Sequence, residues 1–237
     1  GMPFPYEAIA QVSAELAPFD VTYGGFTACN INAVTKSGSN EWTGTVFLER
    51  TGDQWRGDSL EVNGRVQDYS SKSFTEDTKG FSIGGPIMED KLFFYGAYEE
   101  SEQPRFLAAG YAGSNNGVER SWLSKENHDR IERIAKDLYD YDPGGLPADG
   151  TQTDEKYMLR VDWNINEQHD ASVIYNYYDG IQLRSSDGGD NEFEFANHFY
   201  NKGAVSETTT VRLRSQWSDA LSSEMFYSKN TMDDSQV

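Results

Sequence analysis

Cysteine is almost absent from this chain: Cys29 stands alone among 237 residues. A disulfide within the chain and a cysteine-based zinc site are both excluded, and Cys29 reads as an inert small hydrophobe. Long apolar runs are missing too. No stretch reaches the roughly 18 residues a membrane-crossing helix needs, although a crossing strand of about 9 to 11 alternating residues passes that test unseen. Positive charge is scarce, with 20 Lys and Arg against 39 Asp and Glu and a formal net charge of −19. Such a surface argues against a nucleic-acid partner, because phosphate binding needs clustered cations to displace counterions. A secretory signal would need a basic start and an apolar stretch, and Gly1-Met2-Pro3-Phe4-Pro5 has neither; Gly1 before Met2 reads as a cloning scar.

Aromatic residues are plentiful, at 14% of the chain with 14 Tyr and 13 Phe, and glycine is frequent. That composition favours strands carrying aromatic side chains on a pleated surface. The opening stretch reads as a short mixed segment. Ala8, Ile9 and Val12 stand at helical spacing, a turn is expected at Pro18 and Gly24-Gly25, and a strand is expected through Ile31, Ala33 and Val34. Ser37-Gly38-Ser39-Asn40 breaks it. Beyond the break, alternation predicts seven strands, near 42–51, 79–87, 91–100, 155–166, 170–179, 204–217 and 222–230.

The fourth predicted strand shows the pattern best. Tyr157, Leu159, Val161, Trp163 and Ile165 fall on one face, and Lys156, Met158, Arg160, Asp162 and Asn164 on the other. The sixth sets Val211, Leu213 and Trp217 against Arg212, Arg214 and Gln216, a face richer in charge than a soluble sandwich core accepts without pairing. One sheet containing both strands should therefore carry the two apolar sets on one side. A bulge between Ser206 and Val211 would break this register, since Thr208-Thr209-Thr210 offers no apolar marker.

Connections alternate between a few residues (88–90, 166–169, 218–221) and a few dozen (52–78, 101–154, 180–203), the middle long one with a helix around 126–141. In an antiparallel meander alternate connections lie at opposite ends, so tight turns gather on one side and long loops on the other, as in outer-membrane barrels. Trp42, Trp163 and Trp217 would all sit at the short-turn end, where a membrane interface suits an apolar ring with a polar N–H.

Two runs carry a resemblance. Ala17-Pro18-Phe19-Asp20-Val21-Thr22-Tyr23-Gly24-Gly25-Phe26 followed by Ile31-Asn32-Ala33-Val34-Thr35-Lys36-Ser37-Gly38-Ser39-Asn40 resembles the end of the plug domain of TonB-dependent outer-membrane receptors, closest to the Oar-like subgroup. Gly84-Gly85-Pro86-Ile87 with Asp90-Lys91-Leu92-Phe93-Phe94-Tyr95, and Asp162-Trp163-Asn164-Ile165-Asn166 before His169, are similar to the same subgroup. The family has a Gly pair where Ala28-Cys29 stand here, so the local turn must differ.

The resemblance implies a mainly β fold: an antiparallel up-and-down meander, part of an outer-membrane β-barrel, with a short plug remnant over 1–40, barrel strands and extracellular loops over 41–237, and one loop helix. It implies a bacterial outer-membrane location, energised uptake of a scarce solute, and a TonB-type energising complex, outer-membrane lipid and an unknown solute or peptide as partners. The TonB box, signal peptide, amino-terminal module and most of a roughly 22-stranded barrel are expected to lie outside these residues. The seven strands are expected to bury their apolar face by curling into a small barrel or sandwich, or by edge pairing with a second copy as a homo-oligomer.

No enzyme activity, cofactor or metal is expected. His128, His169 and His198 stand apart in sequence and read as surface histidines outside any metal-ligand spacing. Nucleophile-elbow and phosphate-loop patterns are absent. The acidic run through Asp187, Asp190 and Glu192 offers oxygen ligands but lacks EF-hand spacing, and reads as a solvated loop tip. Phe193, Phe195, Phe199 and Tyr200 read as a loop packing on itself. Candidate ligand-binding residues on the outer loops are Trp122, Tyr139, Tyr141, Asp187, Asp190, Glu192, Phe193 and Phe195; Arg160, Asp162, Arg212 and Arg214 are expected to face the lumen. The competing reading is a soluble secreted β-sandwich that binds a glycan or protein through its long loops.

Overall fold

The computed structural model describes residues 3–16, 29–55, 57, 59–62, 65–68, 73–186, 189 and 191–237. The Pro18 and Gly24-Gly25 turn and residues 17–28 of the plug-like run lie outside them. After a 3₁₀ turn at Tyr6–Ala8, β1 (Ile9–Leu16) pairs antiparallel with β2 (Cys29–Thr35). The helical spacing of Ala8, Ile9 and Val12 is overruled here. A helix this short is marginal on its own, whereas β2 supplies a ladder of partners from Ile9 to Leu16.

The main sheet begins at β3 (Thr43–Gly52). In the connection to its neighbour lie the paired β4 (Ser59–Val62) and β5 (Arg65–Asp68). Next come β6 (Thr75–Met88) and β7 (Leu92–Arg105), then a long loop bearing β8 (Ala109–Tyr111), β9 (Val118–Arg120) and α1 (Lys125–Tyr139). β10 (Gly150–Asn166), β11 (His169–Arg184), β12 (Tyr200–Ser218) and β13 (Leu221–Gln236) complete the chain. The seven long strands form one sheet in the order β13-β12-β11-β10-β7-β6-β3, an antiparallel meander. Each strand predicted from alternation is present, and most extend further toward the long loops. Outside β11, where Ile181 and Leu183 still alternate, polar residues predominate there on both faces, so little periodicity marks the continuation although the ladder runs on.

Register fixes the faces. Val161 lies opposite Val173, which lies opposite Val211, while Trp163, Ala171 and Leu213 form the next row on the same side. Asp162, Ser172 and Arg212 align on the other face. Pairing of β11 with β12 runs unbroken from Tyr200 to Ser215, so no bulge interrupts it near the threonines.

Burial is inverted relative to a soluble sheet. Leu159, Val161, Trp163, Val173 and Val211 are exposed, whereas Ser82, Glu99, Asp154, Lys156, Ser172 and Asn176, on the opposite face, are buried. The expectation that the apolar face would be buried by curling fails: the sheet is open, with β3 and β13 at its edges, and that face stays exposed. Closing it would bend seven strands against the small twist that each neighbouring pair accepts.

The short-turn end is built by local polar contacts. Asn40 clamps Asp90 twice, donating to its carboxylate at 2.6 Å and accepting from its N–H at 2.8 Å, which ties the entry of β3 to the β6–β7 turn. The Asn166 side chain accepts from the N–H groups of Gln168 and His169 to close the β10–β11 turn. Trp42, Trp163 and Trp217 are all exposed at this end. The Trp42 ring covers Gly85, where an added Cβ would come within 2.7 Å of it, so the glycine of the Gly-Gly-Pro run is the seat of an aromatic ring. A second aromatic row marks the other edge of the apolar band: Tyr157 stacks on Tyr177 at 4.6 Å and Phe81 on Tyr98 at 5.7 Å. Past it the same face turns charged, with Glu155 opposite both Glu100 and Asp179. From Tyr157 to Ile165 a strand rises roughly 27 Å, about 20 Å after a 40° tilt, close to the apolar band of an outer-membrane barrel.

Candidate functional site

The polar face of the sheet is covered by the N-terminal segment. Ala8 is fully buried in a cluster with Tyr95, Ala97 and Met158, and Pro5 is buried beside it. The contacts that hold the segment are made by strand side chains to its main chain. The Tyr6 N–H donates to Glu99 Oε2 at 2.6 Å, Tyr95 donates its hydroxyl to the Glu7 carbonyl at 2.6 Å, and Asn176 Nδ2 donates to the Pro3 carbonyl at 2.9 Å. Arg160 Nη1 donates to both the Thr35 carbonyl, at 3.0 Å, and its hydroxyl, at 2.8 Å.

On this face cations and carboxylates are matched. Lys156 Nζ lies 2.8 Å from Glu99 and 2.9 Å from Asp154, all three side chains less than one-tenth exposed. Arg160 also holds Asp162 through Nε and Nη2. Arg212 reaches Glu224 at 3.1 Å and Arg214 reaches Asp170 at 3.3 Å, on the same side of the sheet as Arg160 and Asp162. Alternating parity placed Lys156 on this face from sequence. Glu99, Asp154 and Asn176 were not singled out, because nothing in their local sequence says that a distant segment will cover them.

Two recesses open on this face. One of about 240 Å³ lies between the N-terminal segment and the strands, lined by Phe4, Thr35, Arg160, Asn176 and Arg212. Another, of about 800 Å³, lies at the short-turn end between Asp90, Asn164, His169, Arg214 and Glu224.

The long loops meet around a histidine. His128 on α1 is only 4% exposed, which corrects its reading as a surface residue. Its ring packs 5.2 Å from Tyr111, 5.6 Å from Phe193 and 4.9 Å from Phe195, joining the β7–β10 loop to the β11–β12 loop. Phe193 and Phe195 thus pack within the loops, as their clustering suggests. The helix is set by Ser124, whose hydroxyl caps the Asn127 N–H, and is ended by Asp140 in the left-handed region.

Of the other loop candidates, Glu192 is exposed beside a recess of about 160 Å³ shared with Phe193, and Trp122, Tyr139 and Tyr141 are exposed. Asp187 and Asp190 lie outside the described residues. His198 sits 3.0 Å from Glu194, and His169 packs edge-on against Trp217 at 5.0 Å. Among the described residues, His128, Asp129 and Glu132 bring ligand atoms within 4.8 Å of one another. Asp129 and Glu132 are already paired with Lys125 and Lys136, which neutralises the charge a cation would need.

The first comparison agrees with the sheet. Residues 34–111 match the family described as outer membrane beta barrel domain, over the stretch that carries β3, β6 and β7. Among curated proteins the chain is similar to the TonB-dependent transporter Oar of Myxococcus xanthus, 28% identical over 185 residues. That alignment covers 73% of this chain and 16% of the relative, so the chain spans about a sixth of that protein's length. No solved structure matches. Both matches are likenesses to proteins described as an outer membrane beta barrel or a TonB-dependent transporter.

Proposed function

We propose that residues 1–40 form the end of a plug and residues 41–237 the first barrel strands and outer loops of a TonB-dependent transporter, which takes up a scarce solute when a TonB-type partner acts on the plug. The observation that carries this reading is the inverted burial of the sheet. The N-terminal segment covers the part of its charged face around Glu99, Lys156 and Arg160, and its apolar face, bounded by two aromatic rows, is left bare. In a barrel the first face lines the lumen and the second meets lipid. A β-sandwich would bury Leu159, Val161 and Val211 between its sheets, and here they are exposed.

On this reading Arg160, Asp162, Arg212 and Arg214 face the lumen. Trp122, Tyr139, Tyr141, Glu192, Phe193 and Phe195 belong to the outer loops where solute is met. The test is protease treatment of intact cells carrying the full-length protein, with fractionation of their membranes. Cleavage between 106 and 149 or between 185 and 199, in protein recovered with the outer membrane, supports the topology. Cleavage from outside at the turns near Asn166 or Ser218 inverts it, and recovery in the soluble fraction defeats it.

A further inference from the structure

We infer that the strap Pro3–Ala8, with the Thr35 end of β2, is a stationary post of the plug, gripped by the barrel wall through its main chain and staying seated while the rest of the plug moves; this rests on the plug and barrel reading above. The hydrogen bonds from the wall reach the strap's main chain and so do not depend on its side chains. Tyr6 points its ring away, 71% exposed, while its N–H is held by Glu99. The carbonyls of Pro3, Glu7 and Thr35 are each taken by a donor from a different strand: Asn176 on β11, Tyr95 on β7 and Arg160 on β10. Two strands, β7 and β11, therefore hold the strap at three main-chain points, and β10 holds the adjoining Thr35 end of β2 at a fourth.

Side chains lock what the hydrogen bonds locate. Pro5 and Ala8 are the two strap residues buried in the wall, and the Ala8 carbonyl receives the Lys36 N–H at 2.8 Å, so strap and hairpin form one piece. Lys36 also pairs with Glu7 at 3.0 Å. Glu99 is itself held by Lys156, so removing the strap would strip one partner from a charged group already embedded in the wall. In the hairpin above, Val12 and Val34 are exposed, so the wall's hold ends at the strap and the near edge of the hairpin.

The experiment uses the full-length protein in living cells, with Cys29 and every other cysteine replaced by serine and single cysteines introduced by Ala8→Cys or Val34→Cys. Cells are treated with a biotin maleimide, with and without a protonophore that collapses the energising gradient. A stationary post leaves the Ala8→Cys thiol at least tenfold slower to label than the Val34→Cys thiol in both conditions. In that background Tyr6→Ala leaves labelling unchanged, and Tyr95→Phe combined with Asn176→Ala accelerates it tenfold or more. The inference is overturned if the Ala8→Cys thiol labels rapidly in energised cells and is protected by the protonophore, or if the wall substitutions leave its rate unchanged. Recovery of the protein outside the outer membrane would instead defeat the functional reading, while the ratio of Ala8→Cys to Val34→Cys labelling would still judge whether the strap is seated.

Discussion

Lys156 shows how much can depend on a single residue in this wall. Its ammonium group lies between two carboxylates, Glu99 and Asp154, in a setting almost closed to water. Removing one member of a buried charge group leaves the others uncompensated, which costs about 3–5 kcal/mol. Lys156→Met should lower stability by that amount in urea unfolding of the detergent-solubilised protein, and Lys156→Met with Glu99→Gln should recover a large part of the loss. A loss no greater than that of an exposed lysine would show that the face is wet. In the outer loop, Glu119 accepts the N–H groups of Gly113 and Asn115, both at 2.8 Å, and these bonds hold its carboxyl below the usual carboxylate range. A depressed folded-state pKa contributes order that is complete above the ordinary carboxylate pKa and is lost as pH falls through the folded value. The protection of the Gly113 and Asn115 amides, measured against their intrinsic exchange rates, should therefore be full at neutral pH and fall as pH drops below the carboxylate range, while Glu119→Gln removes that dependence.

The strands behave as two-faced elements, and neighbouring positions on one strand should respond oppositely to the same chemical change. Val161 is on the exposed apolar face, one residue from Asp162 on the covered face. An arginine facing lipid near the bilayer midplane costs roughly 2–4 kcal/mol. Val161→Arg should lose about that much when the full-length protein is unfolded from bilayers, and Val211→Arg, in the same row, should do likewise. Asp162→Asn should fall well short of it, since Arg160 keeps the Thr35 oxygens as partners. Equal losses at Val161 and Asp162 would mean that no face meets lipid. The loops are a different kind of element. α1 is seated through His128 between Tyr111, Phe193 and Phe195, and the two phenylalanine contacts join segments more than sixty positions apart along the chain.

At the scale of the whole molecule the open sheet sets the behaviour of these residues on their own. Among the described residues β3 and β13 stand at the edges of the sheet and the outer face is a broad apolar surface, two features that promote association in water. Residues 1–237 alone should be polydisperse in buffer by light scattering and become monodisperse only in detergent. A monodisperse monomer in buffer would contradict the exposed face.

The two-residue period, the tight turns and the order of the seven long strands were all legible in the sequence, because alternation and turn chemistry act between near neighbours along the chain. Which polar residues become buried was not. Glu99, Asp154 and Asn176 look like ordinary solvated residues until the N-terminal strap, far away in sequence, lies across them, and His128 looks like a surface histidine until two loops close on it. The openness of the sheet was also decided above the level of any strand, since closure depends on twist and strand number together. Local pattern determined the faces; long-range contact alone determined which face would be covered, since burial depends on what the rest of the chain brings to it.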